Sequence, residues 1–263
     1  RPPIFAAIES NDFAMVASYL KNDPRQVSVV DCDGQTPLHV AARCSQQDEG
    51  ESNEKMVHLL LSSCADPTSV DHVGWTGLHV AAHKAGSAMY RLLARYLSSQ
   101  PFPGAHPERK SIQANQATID GDTLLHFVAG FCSDETIAKE LLDALLARGA
   151  NLDAPNSRYE TPLVFASRHG NFAMAKLLVA YGACVNLDKP ASCSSKHAGG
   201  PLYWAAVQSH HEIVALLLDA GADASVGGPL GSPRDFPLVK QLMSSRRSSM
   251  WRGSAYQPLQ ASP

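Results

Sequence analysis

Eight residues decide how this chain is read: Gln35-Thr-Pro-Leu-His-Val-Ala-Ala42. Thr before Pro starts a helix, because the hydroxyl can cap free backbone N–H groups and Pro suits the first helical position, where a missing N–H costs nothing. Ala-Ala at the helix centre leaves room for a neighbouring helix to come close. The stretch returns as Trp75-Thr-Gly-Leu-His-Val-Ala-Ala82 and Asp122-Thr-Leu-Leu-His-Phe-Val-Ala129. It returns again as Glu160-Thr-Pro-Leu-Val-Phe-Ala-Ser167 and Gly200-Pro-Leu-Tyr-Trp-Ala-Ala206, with a degraded copy at Pro3-Ile-Phe-Ala-Ala7. The position that Pro37 holds recurs at 3, 37, 77, 124, 162 and 201, at separations of 34, 40, 47, 38 and 39 residues. Self-similarity at such a period is the mark of an array of small stacked units.

A second apolar element comes after each first one: Met15-Val-Ala-Ser-Tyr-Leu20, Met56-Val-His-Leu-Leu-Leu61, Tyr90-Arg-Leu-Leu-Ala-Arg-Tyr-Leu97, Leu141-Leu-Asp-Ala-Leu-Leu146, Met174-Ala-Lys-Leu-Leu-Val179 and Ile213-Val-Ala-Leu-Leu-Leu218. Apolar residues three and four apart put one stripe on each helix. Gly149, Gly182 and Gly221 come directly after three of these helices, where a chain must end in the left-handed conformation. Asp31-Cys-Asp-Gly34, Asp71-His-Val-Gly74 and Asp120-Gly121 supply tight turns before the next Thr.

Thr-Pro-Leu-His-x-Ala-Ala with a later Leu-Leu-x-x-Gly-Ala-Asp resembles the ankyrin repeat, over about six copies in residues 1–226. The resemblance implies an all-α repeat solenoid, elongated and curved, of helix pairs joined by β-hairpin loops. Its units run about 1–33, 34–73, 74–120, 121–158, 159–198 and 199–226. Residues 227–243 then read as a capping helix over the last apolar face, and 244–263, rich in Ser, Arg and Pro, as a flexible tail.

Composition agrees. Of 263 residues 44% are hydrophobic, enough for a substantial core, and 18% are charged with a net charge of −3. No global positive field argues for nucleic acid. No apolar run approaches the roughly 20 residues of a membrane span. Six scattered cysteines in a chain with its own core read as reduced thiols of an intracellular protein, cytoplasmic or nuclear. Arg1 in place of Met, with no signal-peptide pattern, reads as a piece of a longer polypeptide.

A bare unit is about 33 residues, so the longer separations mark insertions. These are polar, acidic residues 45–54, Pro-rich residues 98–115 and Ser-rich residues 188–200, all read as loops. Insertions in such arrays are either neutral drift or recruited for binding.

Chemistry finds little support. His39, His79 and His126 sit in separate units, too far apart to share a zinc ion with bonds of about 2 Å. In ankyrin repeats this His ties the hairpin to the helix start, so the resemblance makes them structural. Cys184, Cys193 and His197 form only a loose trio, short of the paired spacing of a zinc site. No phosphate loop or nucleophile signature is present. The expectation is no enzyme, no metal and no cofactor. Arg246-Arg-Ser-Ser249 is the kind of site a basic-directed kinase accepts, which marks Ser249 for phosphorylation, although a solvated tail accounts for it equally.

By resemblance the module binds a partner protein or peptide through a concave face of hairpin tips and first helices, as a monomeric scaffold, adaptor or recruiting domain. The alternative is a regulatory or substrate-recruiting fragment of a larger enzyme whose catalytic domain lies outside this chain. Aromatic and Arg side chains carry most hot-spot energy. The hairpin candidates are therefore His72, Trp75, Arg158 and Tyr159, with Gln35 and Asp122 at the position of Trp75. Just past the Ala-Ala positions come Arg43, His83, Phe131, Arg168 and Gln208. Phe127, Phe165 and Trp204, after the motif's His position, are expected to pack between repeats.

Overall fold

The computed structural model of the chain describes residues 1–44, 51–84, 87–98, 114–186 and 199–249, with backbone alone at 51–54, 84, 87–89 and 245–249. Among these residues the helices fall into six pairs. They are α1 (Pro3–Glu9) with α2 (Phe13–Asn22), α3 (Pro37–Arg43) with α4 (Glu51–Ser62), and α5 (Gly77–Lys84) with α6 (Ser87–Ser98). After these come α7 (Leu124–Phe131) with α8 (Glu135–Leu146), α9 (Pro162–His169) with α10 (Phe172–Ala180), α11 (Pro201–Val207) with α12 (His211–Asp219), and a lone α13 (Pro237–Ser249). Extended pairing among the described residues is confined to isolated bridges such as Val70 with Thr76 and Ala117 with Thr123. The architecture is an all-α repeat array.

First helices of seven or eight residues are too short to hold together alone, since isolated helices need roughly 12–15 residues to be even marginal. Packing supplies what length does not. The chain forms two compact units, one of residues 1–124 with 140–150, the other of 125–139 with the described residues from 151. In the first unit α1, α3 and α5 lie side by side in that order, with α4 and α6 packed behind α3 and α5. Their facing residues, among them Ile4, Phe5, Leu38, Val40, Ala41, Leu60, Ala82 and Leu93, are buried. In the second unit α9 packs on α11 and on α10, and α12 on α10, α11 and α13. Leu163, Val164, Met174, Leu178, Ala205, Val214 and Leu217 form its core, and Val239 of α13 is fully buried.

Second helices start on side-chain caps that the repeat pattern does not mark. Asp12 accepts from Met15 N at 2.9 Å, Asp134 from Ile137 N at 3.1 Å and Asn171 from Met174 N at 3.2 Å. Asn171 is buried and its amide also donates to the carbonyls of Ala129 (2.9 Å) and Cys132 (2.7 Å).

Two details correct the expectation from sequence. The acidic segment 45–54 is not all loop, because α4 already begins at Glu51; carboxylates favour the first turn of a helix, where the backbone dipole is positive. Helix α13 runs on to Ser249, beyond Met243, since no Pro or Gly stands in its way before Gly253. Most of the inserts at 98–115 and 188–200 lie outside the described residues, as do Cys193, His197 and the Ser249 side chain.

Candidate functional site: hairpin tips and first-helix ends

Each hairpin is built on one side chain. Asp31 Oδ1 accepts from the backbone N–H of Asp33 (3.0 Å) and Gln35 (2.9 Å). Asp71 Oδ1 does the same for Val73 (3.0 Å) and Trp75 (2.9 Å), and Asn156 Oδ1 for Arg158 and Glu160, both at 2.9 Å. Thr118 Oγ1 takes this place in a fourth described hairpin, accepting from Asp122 N at 3.2 Å. The turn then needs a left-handed residue, held by Gly34 (φ 75°), Gly74 (φ 75°) and Gly121 (φ 79°). In the second unit's hairpin that residue is Tyr159, at φ 57°. Within the first unit successive tips are joined, His72 N donating to Asp33 O (3.1 Å) and Ile119 N to Val73 O (3.3 Å).

The motif histidines lock hairpins to helices. Thr36 N donates to His39 Nδ1 (3.1 Å), so the ring proton sits on Nε2, which donates to the Trp75 carbonyl at 2.8 Å. His79 accepts from Thr76 N at 3.2 Å, and His126 Nε2 donates to Glu160 O at 3.0 Å. Burial is the largest influence on His39. It holds the pKa below the usual histidine value against the opposing pull of the Trp75 carbonyl, Asp71 and Asp31. The structural role that the resemblance implied for these residues is what the bonds show.

The sequence candidates fall into two groups. In the first unit Arg43 donates to Gln35 Oε1 (3.3 Å) and pairs with Glu9 (3.4 Å), which Arg1 also holds (2.6 Å). Trp75 meets His83 edge to face, ring centres 5.3 Å apart, and His72 is exposed. Asp122, by contrast, is buried in its own hairpin, where its N–H and carbonyl both pair with Thr118. A carboxylate drawn in so far offers a partner little.

In the second unit Arg158 Nε donates to Glu160 Oε2 (3.1 Å) and Arg168 to Glu160 Oε1 (2.6 Å), with Glu160 itself 0% exposed. Arg168 lies over the rings of Phe165 (5.7 Å) and Trp204 (5.4 Å). Phe131 packs against His169 at 4.8 Å, and Gln208 caps α11 exposed. Phe127 and Phe165 are buried and Trp204 half-buried, as expected of residues packed between repeats.

Three residues at this surface are not among the sequence candidates. Val73 (57% exposed) and Ile119 (69% exposed) stand at hairpin tips, although apolar. Glu160, which the sequence shows only as part of its motif, is the buried anion that holds two arginines. The signal for it is present in the spacing: Gln35 and Arg43, Trp75 and His83, and Glu160 and Arg168 are all eight residues apart and all touch.

Burial pushes the Cys132 thiol up to about 12, which leaves it a neutral, inert thiol. Cys32, Cys64 and Cys184 are exposed thiols in separate loops, and Cys44 ends α3. Among the described residues no three metal-binding side chains gather, and no helix is long and apolar enough to cross a membrane.

Family models agree with the repeat geometry: the ankyrin-repeat array matches residues 106–189 and 125–227, and a single ankyrin repeat matches 33–72. The chain belongs to the ankyrin-repeat family. Among its relatives, the mouse B-cell lymphoma 3 protein homolog is 29% identical over 258 residues, covering 96% of this chain and 50% of that protein. Human B-cell lymphoma 3 protein is 28% identical over 240 residues, covering 90% and 46%. The chain thus spans about half the length of the curated relatives it matches. Among solved structures, the ankyrin repeat domain of Bcl-3, described as a unique member of the IkappaB protein family, superposes with a TM-score of 0.60 at 24% identity, over 92% of this chain and 98% of that one. The human ASB11 ankyrin repeat domain reaches 0.65 at 20%, over 97% and 99%. These structural likenesses establish the fold.

Proposed function

We propose that this ankyrin array is a protein-interaction module that grips a partner protein or peptide by its hairpin tips and first-helix ends. One observation carries the reading. Tyr159 is an aromatic residue, 40% exposed, held in a left-handed turn position that other hairpins of this chain give to glycine. Such a conformation costs a non-glycine residue on the order of 1 kcal/mol. A partner packing on the exposed ring would offset that cost. Val73 and Ile119 add exposed apolar surface at the first unit's tips, beside His72 and Trp75. Arg43, His83, Phe131, Arg168 and Gln208 supply the neighbouring polar and aromatic contacts.

The physics suits recognition rather than turnover. Each described tip is closed by one Asp, Asn or Thr side chain, so a partner loses little entropy ordering it. The free thiols support a reducing, intracellular setting, in cytoplasm or nucleus. Ser249, at the end of α13 behind Arg246 and Arg247, completes the proposal as a modification site.

Affinity capture from cell extract tests this, with the wild type beside a Trp75→Ala, Tyr159→Ala double variant of matched helical content. The double variant should lose the proteins that the wild type retains. Identical partner sets from both would remove this face from the account.

A further inference from the structure

The second unit's hairpin carries more charge information than a general binding face requires. Arg158 and Arg168 grip opposite oxygens of one fully buried carboxylate, Glu160. Arg158 uses only Nε for this and Arg168 only one terminal nitrogen. Their other guanidinium N–H groups have no partner among the described residues, and the two side chains stay 35% and 29% exposed. Arg168 is further fixed by stacking over Phe165 and Trp204, and Tyr159 stands between the two arginines in sequence with its ring at the surface.

We propose that this cluster is a preorganised receptor for a peptide carboxylate, an Asp or Glu of the partner flanked by an apolar residue that packs on Tyr159. The charge balance selects the ligand. Two guanidiniums less one carboxylate leave a single positive charge, which matches a carboxylate and falls short of a phosphate dianion. Planar guanidinium forks pair with carboxylates through two parallel bonds. Glu160 also holds both side chains in place beforehand, so little rotamer freedom is lost on binding. The proposed binding face is the premise; the acidic specificity is the addition.

Selection of a displayed random 12-residue peptide library on the full chain, with affinity measurement of the selected peptides, tests it. The selected peptides should be rich in Asp or Glu next to an apolar residue. Changing that acid to its amide should weaken binding to the wild type about tenfold or more. The same peptide change should matter little to Arg158→Gln, a variant in which Arg168 still pairs Glu160 and the fold is kept. Circular dichroism confirms the fold of that variant, and Arg158→Lys, which keeps the charge without the fork, should show an intermediate loss. Peptides that bind through Tyr159 with no acidic preference would overturn the carboxylate receptor and leave the face standing. Peptides indifferent to Trp75→Ala and Tyr159→Ala, or no selected peptide at all, would overturn the face as well.

Discussion

At the scale of the residue, four non-glycine side chains among the described residues, at Asn11, Cys64, Tyr159 and Ser209, sit in left-handed backbone positions that suit glycine. Tyr159 at φ 57° replaces the glycine of the other hairpins, and Cys64 at φ 70° replaces the glycine that closes α8, α10 and α12. Tyr159→Gly should raise stability by up to about 1 kcal/mol in denaturant titration, because the left-handed strain goes. It should weaken partner binding at the same time. Gain on one side and loss on the other would mark the strain as functional. His39 gives a pH signature. Its folded-state pKa is depressed by burial, so the unfolded chain takes the proton first as pH falls. Its contribution is intact above the unfolded value near pH 6.5 and is lost as pH drops from there toward the folded value. Denaturation midpoints of the wild type should therefore fall between about pH 7 and pH 5 more steeply than those of His39→Gln, compared in the same buffers.

At the scale of the element, starts and ends are legible in the sequence wherever a residue type has one backbone use. Thr-Pro marks the start of α3 and α9, and Gly149, Gly182 and Gly221 mark the ends of α8, α10 and α12. The caps of the second helices are not legible in the same way, because Asp12, Asp134 and Asn171 are common residue types that cap only where a helix begins directly after them. Asn171 does more than cap, since it also serves two carbonyls at the end of α7, the first helix of the previous repeat. Asn171→Ala should cost about 2–4 kcal/mol, as it removes a cap and leaves two buried acceptors unmade. Equilibrium unfolding of the variant checks this, and a loss under about 0.5 kcal/mol would show that the Asn171 bridge matters little.

At the scale of the whole molecule, each helix pair is stable only against its neighbours, which is why a short recurring motif reveals the fold. Period and helix signals report backbone class. They do not report which surface side chains satisfy one another. So Asp122, expected as an exposed anchor, is buried in its hairpin, while Glu160 is marked only by its eight-residue spacing to Arg168, which gives no hint that it is buried or that it also holds Arg158. The exposed Val73 and Ile119 are hidden for the converse reason: apolar residues in a repeat are expected inside. The motif places each side chain within its unit, and only the stacked structure assigns its partners.

Hydrogen–deuterium exchange of the chain, free and bound to a captured partner or selected peptide, tests the central claim most directly. Bound chain should gain protection at the hairpins around residues 31–36, 71–76 and 156–161 and at the ends of α3, α5 and α9, with α4 and α10 little changed. Protection confined to the second helices, with the hairpins exchanging as freely as before, would contradict it.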